Sequence, residues 1–134
     1  MQNTLEVHHV SVAIERSPDD VYRYAANVET WPEWASGLGK SMRKVEGAWI
    51  IDGPMGQVKM KMTEPNNYRV LDHDVTLPSG QTVHNAFRVL PNGNGSEAVF
   101  SVFRQNGVSD EDFAADWAAV EKDLHTLKRV LEKR

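Results

Sequence analysis

The sequence predicts an α+β protein: one antiparallel sheet, a long C-terminal helix against its apolar face, and two short helices after the first strand. Three observations lead there. The final 26 residues, Ser109 to Arg134, carry Phe113, Trp117, Val120, Leu124, Leu127 and Leu131 at steps of 4, 3, 4, 3 and 4, which keeps all six on one helical face. From Ser41 to Gln105 the chain reads as strands broken by turns rich in Gly, Pro and Asn. Ahead of them, Ser17-Pro18-Asp19-Asp20 supplies a helix start: an N-cap, proline at the first position and acids in the first turn.

Composition bounds the answer. At 134 residues the chain is expected to form one domain, residues 1–134, that buries roughly two thirds of its unfolded surface. Lys and Arg number 15 and Asp and Glu 19, a formal charge of −4 with no long run of one sign, so nucleic acid is not an expected partner. The absence of cysteine excludes disulfides, a thiol nucleophile and a Cys-ligated metal. Met1 to Arg16 alternates polar and apolar residues and lacks the apolar core of a signal peptide. No apolar run approaches the ~20 residues of a membrane span, and a cytoplasmic location is expected.

Taken in order, Leu5 to Ile14 reads as a strand with Val10, Val12 and Ile14 on one face and His9, Ser11 and Ala13 on the other. His8 and His9 then point to opposite faces and cannot chelate one ion together. Val21, Tyr24, Ala25 and Val28 form the apolar face of the first helix. Glu29 and Thr30 interrupt it, and Trp31-Pro32-Glu33-Trp34-Ala35 reads as a second short helix with Pro32 in its first turn, ended by Gly37 and Gly39.

The turns then set the registers. With Asp52 facing Gln57 across Gly53-Pro54-Met55-Gly56, Trp49 opposes Met60 and Ile51 opposes Val58. With Glu64 facing Arg69 across Pro65-Asn66-Asn67-Tyr68, Met60 opposes His73 and Met62 opposes Leu71. Lys59 then meets Asp74 and Lys61 meets Asp72, two favourable cross-strand pairs. Pro78-Ser79-Gly80, with Gly80 left-handed, sets Leu77 against Gln81, Val75 against Val83, His73 against Asn85 and Leu71 against Phe87. One face collects Trp49, Ile51, Val58, Met60, Met62, Leu71, Val75, Val83, Phe87 and Val89. The other, solvated face carries Lys59, Lys61, Asp72, Asp74, His84 and Arg88. Asn92-Gly93-Asn94-Gly95 leaves two alternatives for the last strand: Val99 and Phe103 face inward, or Phe100 and Val102 do. In the final helix Ser109 is the N-cap, with Asp110, Glu111 and Asp112 at the positive end of the dipole and Lys128, Arg129, Lys133 and Arg134 at the other.

The order strand, two short helices, six strands, long helix resembles the helix-grip fold of the START and birch-pollen-allergen superfamily (SRPBCC). There a curved antiparallel sheet, here expected to be seven-stranded, wraps the long helix and leaves a cavity between them. The local marks are Ile14 to Val21, the Trp31-Pro32-Glu33-Trp34 run, Trp49 through Gly56, and Phe113 to Leu131. Leu71 to Arg104, with Leu-Asp-His-Asp-Val and Arg-Val-Leu-Pro-Asn-Gly, is similar to bacterial polyketide cyclase-like proteins. The resemblance implies a cavity, and function resides in what lines it.

The inner face is apolar apart from His73 and Asn85, which the registers place opposite each other. An imidazole beside an amide suits polarising a carbonyl or moving a proton, so these two are the catalytic candidates. The plainer reading is that His73 satisfies a polar spot in the core. Candidate ligand-binding residues are Trp34, Trp49, Met60, Met62, His73, Asn85, Phe87, Phe113 and Trp117, the methionines because they adapt to irregular ligands. His73 and His84 fall on opposite faces, and the chain has no His-x-x-x-His pair, nucleophile elbow or phosphate-binding glycine loop, so neither metal nor cofactor is expected. The leading expectation is binding of a small, largely apolar molecule, lipid-, polyketide- or aromatic-like, by a carrier or sensor. One alternative is a cofactor-free cyclase, dehydratase or isomerase using His73 and Asn85. Another is a protein-interaction module of the kind that activates a chaperone ATPase. A homodimer is compatible with any of these.

Overall fold

Alternation in the first strand becomes β1, Val7–Ile14, with Val10, Val12 and Ile14 buried and His9, Ser11 and Ala13 exposed. The structure, a computed structural model, describes residues 3–36, 41–53 and 56–134. Helix α1, Pro18–Ala26, begins where Ser17 Oγ accepts from the Asp20 N–H and so satisfies one free donor of the first turn. A 3-10 helix, Val28–Glu33, follows at once. It starts earlier than expected, and Pro32 lies near its end, because the Asn27 side chain accepts from the Glu29 N–H and recaps the chain directly after α1. Its expected stop at Gly37 and Gly39 falls outside the described residues.

Six more strands complete the sheet: β2 (Ser41–Val45), β3 (Ala48–Gly53), β4 (Gly56–Met62), β5 (His73–Thr76), β6 (Thr82–Asn92) and β7 (Gly95–Phe103). All seven strands pair antiparallel in the order β1-β7-β6-β5-β4-β3-β2. Trp49 faces Met60 and Ile51 faces Val58, although Pro54 and Met55 at that hairpin's tip lie outside the described residues. His73 faces Asn85 and Val75 faces Val83, with Gly80 at φ 93° in the turn. Phe87 opposes Phe100, and Phe100 opposes Val10, so the last strand turns Phe100 and Val102 inward.

One register differs. β4 and β5 pair Met60 with Val75, Met62 with His73, Lys61 with Asp74 and Lys59 with Thr76. The expected pairs, Met60 with His73 and Met62 with Leu71, assumed a tight turn. Asn66 instead builds a wider loop. Its Oδ1 accepts from the Tyr68 and Val70 N–H groups, its Nδ2 donates to the Glu64 and Val70 carbonyls, and Arg69 takes φ 58°. A slip of two leaves every side chain on its own face, so the inner set survives and the charge pairs do not. Among the described residues neither Lys59 nor Lys61 is ion-paired with Asp72 or Asp74, whose partners are Arg88 and His84.

Helix α2, Asp110–Glu132, is capped by Ser109, whose Oγ accepts from the Asp112 N–H. It lies against β1 and β7. Phe113, Leu124, Leu127 and Leu131 are buried beneath it, and Trp117 and Val120 are half-buried. Its C-terminal end is fastened to the end of β1. Lys128 Nζ donates to the Ala13 carbonyl at 2.7 Å, Arg16 Nη1 to the Leu131 carbonyl at 2.7 Å, and the Glu15 N–H to Glu132 at 2.9 Å. With α2 held over one side of the sheet, His73 at the start of β5 and Phe100 within β7 come together with Trp31, Trp34 and Ala35 beside Val120 and Leu124 of α2.

Candidate functional site

His73 opens β5 on the inner face and is buried, 5% exposed. Its Nδ1 lies 2.9 Å from the Leu71 carbonyl oxygen, which can only accept. Nδ1 therefore carries the proton and Nε2 keeps its lone pair. Asn85 Nδ2 approaches Nε2 at 3.4 Å, a long contact. Trp31 meets the imidazole edge-on at 5.1 Å between centroids, and Phe100 at 6.0 Å. Burial among these groups pushes the His73 pKa down, against weaker upward pulls from the Leu71 carbonyl and Asp72, and favours the neutral ring.

Between His73, the 3-10 helix and α2 lies a recess of about 160 Å³, walled by Trp31, Trp34, Ala35, Phe100, Val120, Asp123 and Leu124. An apolar cavity of roughly 150 Å³ is enough to admit benzene. Trp31 and Trp34, one 3-10 turn apart, share a side. Their indoles differ. Trp31 Nε1 donates to the Ala25 carbonyl at 2.7 Å, whereas the buried Trp34 Nε1 has no acceptor among the described residues. An unpaired buried donor costs about 1–3 kcal/mol. Asp123 Oδ1 accepts from the Ser36 N–H at 3.0 Å and from Ser36 Oγ at 2.7 Å, tying α2 to the segment after the 3-10 helix.

A second depression, about 370 Å³, lies between the helices and β3–β4 and is bordered by Tyr22, Val28, Lys44, Trp49, Met62, Glu64 and Leu71 among others. The two share no lining residue: Leu71 borders this groove, and His73, two positions on, borders the recess.

The expected site residues are thus dispersed. Trp34 and His73 border the recess, and Asn85 touches His73. Trp49 and Met62 border the groove. Met60 and Phe87 are sealed in the core, 2% and 0% exposed. Phe113 is buried beneath the Arg104 guanidinium at 5.8 Å, and Trp117 stacks on His8 at 4.0 Å with 15° between the planes. Sequence reasoning missed Trp31, Phe100, Val120 and Leu124 as lining. The three-residue spacing of the tryptophans and the apolar stripe of α2 could have found all but Phe100, whose face hung on an ambiguous hairpin.

On the outer face, directly beside His73 in sequence, Asp72 is buried, 6% exposed, where a solvated carboxylate was expected. It accepts from the Phe87 N–H at 2.9 Å and from Arg88 Nε and Nη2 at 3.3 and 2.9 Å. Burial alone would raise its pKa, but Arg88 and the Phe87 N–H together hold the carboxyl below the usual range. His84 spans both acids, 2.7 Å from Asp74 and 3.4 Å from Asp72, and the hydrogen bond to Asp74 above all raises its pKa. Among the described residues no cluster of three or more His, Asp or Glu is placed to hold a metal ion.

Residues 7–132 match the family described as polyketide cyclase / dehydrase and lipid transport. The chain belongs to this family. No curated protein matches it in sequence. The family member's fold is shared by XoxI from Bacillus cereus, at a TM-score of 0.74 and 17% identity, over 94% of this chain and 95% of that one. Ara h 8.0201 superposes at a TM-score of 0.72 and 14% identity, over 97% and 99% of the two chains. A START superfamily protein from Mycobacterium smegmatis does so at 0.71 and 10% identity, over 95% and 97%. At these identities the likeness establishes the helix-grip fold of the START and birch-pollen-allergen superfamily. No helix among the family member's described residues is long and apolar enough to cross a membrane.

Proposed function

We propose that this member of the polyketide cyclase / dehydrase and lipid transport family, acting in the cytoplasm as one domain over residues 1–134, binds a small, largely apolar molecule in the recess beneath α2. The observation that carries this reading is the recess itself: ring-sized, walled by Trp31, Trp34, Phe100, Val120 and Leu124, with His73 and Asp123 as the polar groups of its wall. Small-molecule sites combine an apolar wall with few polar groups in this way. The groove beside Trp49 and Met62 is larger, but Lys44, Glu29 and Glu64 on its rim suit it less to an apolar guest. Toluene, followed by tryptophan fluorescence, should bind saturably. Val120→Phe, which fills the recess with an apolar ring, should abolish that signal while leaving the melting temperature within a few degrees. Toluene binding unchanged in the filled variant would contradict the reading.

A second reading, a cofactor-free cyclase- or dehydratase-like enzyme, draws on the family description and on His73. The neutral ring with its lone pair at Nε2 is the form a general base requires. In that case His73→Gln should remove turnover of a cyclisable or dehydratable substrate while leaving the fold intact. A homodimer is part of neither reading's chemistry; sedimentation velocity decides it.

A further inference from the structure

We infer that the recess takes a ring-bearing organic ammonium, its ring among the tryptophans and its charged nitrogen on Asp123. This rests on the recess being the ligand site and adds the class of its guest.

The lining is graded by depth. Trp31, Trp34, His73 and Leu124 are buried, whereas Ala35, Phe100, Val120 and Asp123 are half-buried and stand nearer solvent. An apolar ring therefore belongs inside, and a charged group belongs beside Asp123, where water still reaches it. The carboxylate is held in place without being used up. Ser36 donates to it twice, through its N–H at 3.0 Å and its Oγ at 2.7 Å, and both bonds end on Oδ1. Oδ2 keeps its lone pairs, and among the described residues no Lys, Arg or His forms an ion pair with Asp123.

The polar character of the wall has one sign. His73 has committed its only proton to the Leu71 carbonyl through Nδ1, so the ring can only accept. The Trp31 N–H is spent on the Ala25 carbonyl, and the Trp34 N–H is itself buried. No Lys or Arg is among the lining residues. An anionic guest would therefore face a carboxylate with no donor to answer it. A hydroxyl can donate one hydrogen bond to Oδ2. An ammonium makes that bond and adds the attraction of a full opposite charge. Trp31, Trp34 and Phe100 supply aromatic walls for the ring, and a volume of about 160 Å³ admits one ring and little more.

The test compares benzylammonium, benzyl alcohol and benzoate, which share a ring and differ in the charge of the end group. Each is titrated into the intact protein at neutral pH and low salt, with tryptophan fluorescence as the readout. Benzylammonium should bind roughly three- to tenfold tighter than benzyl alcohol, the scale of one partly exposed ion pair, and benzoate should bind weakest. The ammonium advantage should shrink as salt is raised to about 1 M. Asp123→Asn keeps Oδ1 for Ser36 and puts an amide nitrogen in place of Oδ2, so the ratio of the two affinities should fall to about one or below. Val120→Phe should abolish the benzylammonium signal, which separates the recess from the acidic surface. If Asp123→Asn binds neither compound, the ranking in the parent protein and its salt dependence still decide. Benzyl alcohol binding as tightly as benzylammonium, an ammonium advantage that survives Asp123→Asn, or benzylammonium binding that survives Val120→Phe would each overturn this inference; toluene still bound would leave the recess standing. No binding by toluene or by any of the three would overturn both.

Discussion

Strands β5 and β6 carry one histidine on each face, and the two faces treat them in opposite ways. On the inner side His73 sits among Trp31, Phe100 and Asn85, and burial lowers its pKa. On the outer side His84 is exposed and bridges Asp74 and Asp72, which raise its pKa. The two residues differ by nothing intrinsic. The period of two in a strand sends Asp72 and Asp74 one way and His73 the other, so three consecutive residues are divided between an ionic surface and an apolar interior. The inner face thereby gains an uncharged acceptor, and the outer face gains a charge network that fastens β5 to β6 behind it.

The sharpest way to break this comparison is to remove material from each face. Phe87→Ala, at a position wholly buried on the inner side, should cost about 3–5 kcal/mol in urea melts. Asp72→Ala should cost about 1–3 kcal/mol, because it strips a buried acceptor from the Phe87 N–H and leaves Arg88 unpaired. An Asp72→Ala loss under about 0.5 kcal/mol would show that the outer network is ornament on a core that holds itself.

A smaller effect separates the faces by sign. His84 has a raised folded pKa, so its stabilisation is complete below its unfolded value of roughly 6.5 and is lost as pH rises through the folded value. The stability gap between the parent and His84→Gln should therefore be wider at pH 5.5 than at pH 8.5. A gap that widens with rising pH would reverse the assignment. His73 works the other way: its lowered folded pKa means stability present above roughly 6.5 and lost as pH falls. The least effect belongs to Lys61→Ala, opposite Asp74 but without an ion pair, and should lie within about 0.5 kcal/mol of zero.

Which side each residue takes was legible in the sequence from β1 to β6, because alternation and turn chemistry speak directly to it, but not in β7, where the Asn92–Gly95 hairpin left two alternatives. The α2 stripe and the β3–β4 and β5–β6 alignments follow from spacing alone. The β4–β5 alignment did not, since it depends on Asn66 folding its side chain back onto four backbone groups, and a wide loop and a tight turn begin with the same residues. Asp72 could be assigned to the outer face but not to burial, which Arg88 and the Phe87 N–H impose from another strand. Of the site, His73 beside Asn85 was visible. That Trp34 Nε1 has no acceptor among the described residues while Trp31, three residues away, has one is a matter of which carbonyl lies in front of each ring, and no local pattern encodes it.

The central claim is that the inner face holds a neutral imidazole with its acceptor nitrogen free of a proton. Imidazole ¹⁵N spectra of His73 and His84, recorded together from about pH 5 to 8, test it most directly. The account predicts that His73 carries its proton on Nδ1, shows an unprotonated Nε2 at neutral pH, and titrates below the ordinary histidine value while His84 titrates above it. A His73 with its proton on Nε2, or one that titrates at or above His84, would contradict it.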